Sequence, residues 1–302
     1  MKELNINSLH KFPAKPALWT LFLLLIGGFF ITIFLSSIIA VAFKANELSV
    51  MRWSVVLQNV FTFIMPALLM ALIVFRRPLG FLSVTKRPSL FAVIGIIVIY
   101  IAATPALNFA VAMNEAMSLP SWMQPVEDWM KASEATAKAM TDKLISAESL
   151  PQLLLAVLLV GVLTGIGEEF FFRGAMQNIF SKCIRNKHVA VWSAAFIFSA
   201  FHLQFYGFVP RMLLGAILGY SLLWSGSLWV PIICHALNNS MVVVFSYLTK
   251  QGIVQTDISN AGAEFDGFPT LAAISLVATV LLMVAYYIVL TKNKLHDDHR
   301  CY

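Results

Sequence analysis

The chain has 302 residues, 59% of them hydrophobic and 12% charged, with a formal net charge of +6. A soluble domain carries about 25% charged residues, so these few cannot cover a water-facing surface of this size, and lipid is the expected solvent for much of the chain. Spanning backbone must satisfy its own hydrogen bonds, which leaves helices or a closed barrel. The long, non-alternating apolar runs select helices, and the expected fold class is all-α: a polytopic membrane bundle of about eight transmembrane helices.

In chain order the runs are 17–43, 53–75, 89–113, 151–180, 188–206, 210–225, 227–248 and 270–290. Lys2, Lys11 and Lys15 precede the first run, which is far longer than the core of a cleaved signal and reads as a retained helix. With the N-terminus inside, the inner segments, counted with Arg173, hold most of the Lys and Arg, led by Arg76, Arg77, Lys86 and Arg87; the outer segments hold most of the Asp and Glu. The positive-inside rule then predicts an integral protein of the plasma (inner) membrane with cytoplasmic N- and C-termini. The basic residues are spread over short loops without interleaved aromatics, so nucleic acid is excluded as a partner. The expected partners are the bilayer and a peptide or protein substrate.

The longest loop, 114–150, is polar and carries Glu127, Asp128, Glu134 and Asp142. Its second half, Pro125 to Ala147, reads equally as a short helix on the outer surface, with Trp122 and Trp129 at the interface, or as a solvated loop. Gly161 and Gly165, and Gly215 and Gly219, are pairs four apart, a spacing that lets helices approach closely. Cys183, Cys234 and Cys301 have no metal or redox spacing, and Cys301 with Tyr302 makes no prenylation box.

Ionisable residues inside a bilayer are costly and mark function by default. Five stand out in the apolar runs: Glu168, Glu169, Arg173, His202 and His235. Glu169 and Arg173, at i and i+4 with the acid first, form a favourable helical ion pair. Glu168 points about 100° away and has no local partner; an unpaired carboxylate in low dielectric is the kind of group that serves as a general base or acid. Phe198 lies one turn before His202 and packs on its ring. His235 and Asn239 share a helix face and can donate to a developing oxyanion. Counting about 1.5 Å per residue puts Glu168, His202 and His235 in one middle layer. The catalytic candidates are therefore Glu168, His202, His235 and Asn239, with Glu169, Arg173 and Phe198 in support. The structural alternative is that the acids and Asn239 only tie helices together. His-Glu-x-x-His, Gly-x-Ser-x-Gly and Gly-x-Gly-Asp motifs are absent.

Glu-Glu-x-x-x-Arg at 168–173, Phe-x-x-x-His at 198–202 and His-x-x-x-Asn at 235–239 occur in order on separate helices. This set resembles the CPBP (CAAX protease and bacteriocin-processing, or Abi) family of intramembrane proteases, and is similar to its type II CAAX prenyl endopeptidases. The resemblance covers 150–247, a catalytic core within a single transmembrane domain spanning 1–302. It implies endopeptidase activity on membrane-associated peptides, of CAAX type or another. Glu168 and His202 would activate water, and His235 and Asn239 would hold the oxyanion. Members are described both as metalloproteases and as metal-free glutamate enzymes. Glu168, His202 and His235 could bind zinc or another divalent ion with water as fourth ligand, but the expectation is a reaction without a cofactor. The alternatives are a catalytically silent scaffold or bacteriocin-immunity protein and, lower, a transporter.

Overall fold

The computed structural model describes residues 14–74, 78–254, 262 and 269–299, and side chains within 16–73, 78–254, 262 and 269–292. Lys2, Lys11, Arg76, Arg77 and Cys301 lie outside the described residues. All regular structure among the described residues is helical, and the fold is an all-α polytopic bundle. The helices are α1 (Ala14–Ala42), α2 (Glu47–Ile73), α3 (Leu90–Glu115), α4 (Gln124–Ile145), α5 (Leu150–Cys183), α6 (Lys187–Ala200), α7 (Phe208–Ser225), α8 (Trp229–Lys250) and α9 (Thr270–His299). Seven of them, all but α4 and α6, are long and apolar enough to cross a bilayer. Large apolar side chains are exposed all along them, among them Phe30, Phe34, Leu72, Leu154, Val277 and Leu281, as lipid-facing surfaces require.

Polar residues set the helix ends. The Asn46 side chain accepts from the Ser49 N–H and starts α2 six residues before the expected 53, taking in the polar stretch around Arg52. Ser89 caps α3 in the same way. Gly226, with φ 69°, ends α7 in the left-handed conformation. Pro125 opens α4, so the second half of the long loop is a helix rather than solvated chain.

The expected fifth span, 188–206, is corrected. Helix α6 stops at Ala200, and 201–207 is a turn that feeds directly into α7. With 14 residues, α6 rises about 21 Å, short of the hydrocarbon thickness. The turn is tied from outside its own sequence. Asn114, at the end of α3, donates to the Phe205 carbonyl and accepts from the Val209 N–H. The Ser199 hydroxyl donates to the Phe208 carbonyl. Leu203 takes a positive φ of 52° to make the reversal. At the other end of α7, Lys86 donates to the Ser225 carbonyl and the Ser227 hydroxyl to the Lys86 carbonyl. The α6–α7 hairpin therefore runs alongside α3 from its first residues to its last.

Packing supplies the rest. α1 lies on α2 through Gly28, where an added Cβ would sit 1.9 Å from the Phe61 carbonyl oxygen. Leu21, Leu25, Phe63, Met70, Phe171, Phe172 and Ile179 close the core between α1, α2 and α5. α9 binds α3 through the Tyr286 hydroxyl on the Ala92 carbonyl and through Ser275, which bonds Ala102 O and Ala106 N. The latter repairs the backbone around Pro105, which has no N–H to give the ladder.

Candidate active site

The two acids of α5 lie between two stretches of wider π-helical winding, Val157–Leu163 and Phe170–Gln177. Such insertions recur at functional sites because they re-aim side chains within a continuous helix. On either side of the acids, glycines let neighbouring helices come in. A Cβ on Gly165 would lie 2.9 Å from the Ala236 nitrogen of α8, and one on Gly161 2.2 Å from the Ser240 hydroxyl. Across the bundle, Arg173 donates to the Gly215 carbonyl at 3.1 Å and Gln177 to the Gly219 carbonyl at 2.9 Å. A Cβ on Gly219 would sit 2.8 Å from Gln177 Oε1. Both glycine pairs thus mark the seams that clamp α5 against α7 and α8.

Glu168, Glu169, Arg173, His202 and His235 come together. Arg173 Nη1 and Glu169 Oε1 are 2.7 Å apart, with both side chains almost wholly excluded from solvent. That pair was legible from spacing; its second half was not. The same Oε1 is 2.7 Å from His235 Nδ1, so Glu169 anchors a histidine of α8 as well as the arginine of its own helix. Arg173 also lies over the Phe198 ring, 4.3 Å from the centroid, and Phe198 meets the His202 and His235 rings edge to face at 5.0 and 5.8 Å.

His202 is not on a helix, as expected, but two residues past the end of α6. Its Nδ1 is 2.8 Å from the Phe198 carbonyl oxygen. These partners fix the tautomers. A backbone carbonyl can only accept, and so can a carboxylate already bonded to an arginine, so both Nδ1 atoms carry hydrogen. Each Nε2 then turns a lone pair to Glu168: His202 Nε2 is 3.9 Å from Oε1, and His235 Nε2 is 3.7 Å from Oε2. Four acceptor atoms face one another at separations too long for direct hydrogen bonds. The gap suits a donor with two hydrogens, such as water.

The same donor types are those zinc takes, with Nδ1 atoms held as in metal sites. Yet among the described residues no three His, Cys, Asp or Glu side chains are arranged to hold one ion, so the group does not fit these residues as they stand. The hydrogen bonds of Asn239 go elsewhere: its amide donates to the Val160 carbonyl at 3.4 Å and its oxygen accepts from Asn238. Two polar side chains near the acids carried no sequence signal. Asn59 of α2 is buried with an unpartnered Oδ1, against Gly167. Arg211 of α7, which the charge count sets among outer residues, acts electrostatically with both Glu168 and His202.

Comparison with known proteins meets this geometry in one stretch. The family model described as "Type II CAAX prenyl endopeptidase Rce1-like" matches residues 150–241, which run from the start of α5 into α8 and include every residue of the cluster. The central region is Rce1-like, and in that region the chain is similar to the membrane proteases of the CPBP family. The membrane-embedded CAAX protease MroQ of Staphylococcus aureus (strain USA300) is 27% identical over 160 residues, 51% of this chain and 62% of MroQ. The uncharacterized protein YpbD of Bacillus subtilis (strain 168) is 26% identical over 114 residues, 36% of this chain and 53% of YpbD. An uncharacterized 24.3 kDa protein of Escherichia coli is 28% identical over 123 residues, 38% of this chain and 55% of that protein. The chain thus spans little more than half the length of the curated relatives it matches. No solved structure matches it. The CPBP resemblance read from three short motifs stands, and it is to the membrane proteases of that family.

Proposed function

We propose that the protein is an intramembrane endopeptidase in which Glu168 activates water for attack on a peptide bond. The observation that carries this reading is the ring of acceptors around the Glu168 carboxylate: two imidazole lone pairs, each held in its tautomer by a second partner. Water seated there gives a proton to Glu168 while His202 Nε2 orients its other hydrogen. Its oxygen attacks the scissile carbonyl carbon, and the C–N bond breaks as Glu168 returns the proton to the leaving amine. His235 and Asn239 serve the oxyanion. For His235 that requires a hydrogen on Nε2 in place of the lone pair; for Asn239 it requires release from Val160. Every step is carried by the chain's own side chains.

The α6–α7 hairpin returns the chain to the side it left, which favours both termini on one side, and the Lys/Arg asymmetry of the sequence favours the cytoplasmic side of the plasma (inner) membrane. The Rce1-like match and MroQ favour a membrane-associated peptide substrate, CAAX-type among the candidates.

The test is proteolysis by purified protein in liposomes, with matched prenylated and unprenylated peptides, for wild type, Glu168→Gln and His202→Ala, each with and without a chelator. Cleavage by wild type, unaffected by chelator and lost in both variants, is expected. Cleavage that persists in Glu168→Gln would sink the glutamate mechanism, and chelator sensitivity would replace it with a metal-assisted one.

A further inference from the structure

Arg173 is fully committed: carboxylate, carbonyl and ring use its guanidinium. Arg211 is not. It is half-buried at the start of α7, and among the described residues no carboxylate pairs with it at ion-pair distance. Its hydrogen bonds go to neutral oxygens, Gln204 Oε1 at 2.6 Å and the Gln204 carbonyl at 3.5 Å. Gln204 is two residues from His202, so Arg211 braces the turn that carries the catalytic histidine. Gly207 gives it room; a Cβ there would lie 2.9 Å from Nη2.

Two carboxylates act on Arg211 from a distance, Glu168 in the site and Glu134 on the overlying helix α4. Glu134 itself accepts weakly from the Tyr206 N–H at 3.4 Å, and Trp129 of α4 packs on Phe205 with centroids 5.1 Å apart. So α4 covers the turn and sets an acid near Arg211 without pairing it. A planar fork of donors held by neutral partners, on the turn that carries His202, is suited to a carboxylate brought in from outside.

We infer that Arg211 is the carboxylate-recognising residue of the peptide site. It binds either the C-terminal carboxylate of a substrate or an Asp or Glu side chain near the cleaved bond, and Glu134 is the internal acid that the substrate displaces. This rests on the endopeptidase reading for the substrate's being a peptide. Arg211 is a specificity residue, and it takes no part in the proton transfers.

The test measures binding rather than turnover. Glu168→Gln protein in liposomes is titrated with pooled N-acetylated fluorescent octapeptides in three forms: free acid, C-terminal amide, and amide carrying one internal Glu. The free-acid or the Glu-bearing form is expected to bind roughly 10-fold or more tighter than the plain amide, and which of the two does so identifies the source of the carboxylate. Adding Arg211→Gln should bring the three forms level, and an unchanged melting temperature in detergent shows that the variant is folded. Arg211→Lys should keep part of the preference. Glu134→Gln, which keeps an oxygen to accept from the Tyr206 N–H but removes the competing charge, should widen the preference several-fold. Equal binding of all three forms to the Arg211 protein, or a preference that survives Arg211→Gln, would overturn the inference. Hydrolysis by the wild type is assayed in parallel. Cleavage without carboxylate preference rejects the inference alone, and preference without cleavage rejects the endopeptidase reading alone.

Discussion

Glu169 is the most deeply buried acid among the described residues. One oxygen holds Arg173 and His235, and the other, also buried, has no partner among the described residues. Breaking a buried pair by removing one partner leaves the other charge uncompensated and costs about 3–5 kcal/mol. Glu169→Gln is therefore expected to lower thermal stability in detergent and to abolish activity. The two effects separate in the double variant Glu169→Gln/Arg173→Met, where no buried charge is stranded. Its melting temperature should recover most of the loss while hydrolysis stays absent, because His235 is still without its anchor. Recovery of both would make Glu169 a purely structural residue. Glu168→Gln makes the converse case. Its nearest partners are 3.7 and 3.9 Å away, so stability should change little, while kcat falls by about 10²-fold or more for loss of a general base.

At the scale of elements, the turn 201–207 matters most, because it fixes where His202 stands. Asn114→Ala strips it of two bonds and leaves a carbonyl and an N–H without partners, at a cost of about 1–3 kcal/mol for each group that stays buried. Faster amide exchange confined to residues 201–209, with a proportionate loss of activity, is the expected result. Helix α4 has its own pH dependence. Lys131 beside Glu127, at 2.7 Å, and the Leu119 N–H hold the Glu127 carboxyl below its usual value. A depressed carboxylate stabilises above its unfolded pKa, about 4.3, and loses that contribution as pH falls through the lower folded value. Exchange at the α4 N-terminus should therefore rise on acidification below that pH, and Glu127→Gln should show no such rise.

The helices themselves were legible in the sequence, since runs of apolar residues report lipid contact directly, and so was the Glu169–Arg173 pair, since it depends only on helical spacing. The end of α6 was not. Nothing in Phe201-His202-Leu203 stops an apolar run; the stop is imposed by Asn114 and Ser199, with Asn114 far away in sequence. The Glu169–His235 contact stayed hidden for the same reason, because it joins α5 to α8 and has no local periodicity. Arg211 was passed over because it sits at the edge of its run, where a basic residue reads as topology before it reads as chemistry.

For the whole molecule, the hairpin changes what crossing the membrane means. α6 and α7 return to the level of α3's first turn, where Ser225 and Ser227 bond Lys86, so together they count as one entry and one exit on the same side. Cys183, exposed at the end of α5, and the start of α6 at Lys187 then share a face with Ser225, while α4 lies on the other. The native thiols make this measurable. In Cys301→Ser protein inserted with one orientation, a membrane-impermeant maleimide should modify Cys183 from the cytoplasmic side and leave Cys234, which is buried, unmodified until the protein is denatured. With Cys183→Ser as background, Ser225→Cys should label from that same side and Lys138→Cys, on the exposed face of α4, from the opposite one. Labelling of Ser225→Cys and Lys138→Cys from one side would mean that α6 does not return with α7, and the shared layer of Glu168, His202 and His235 would have to be rebuilt from a different path of the chain.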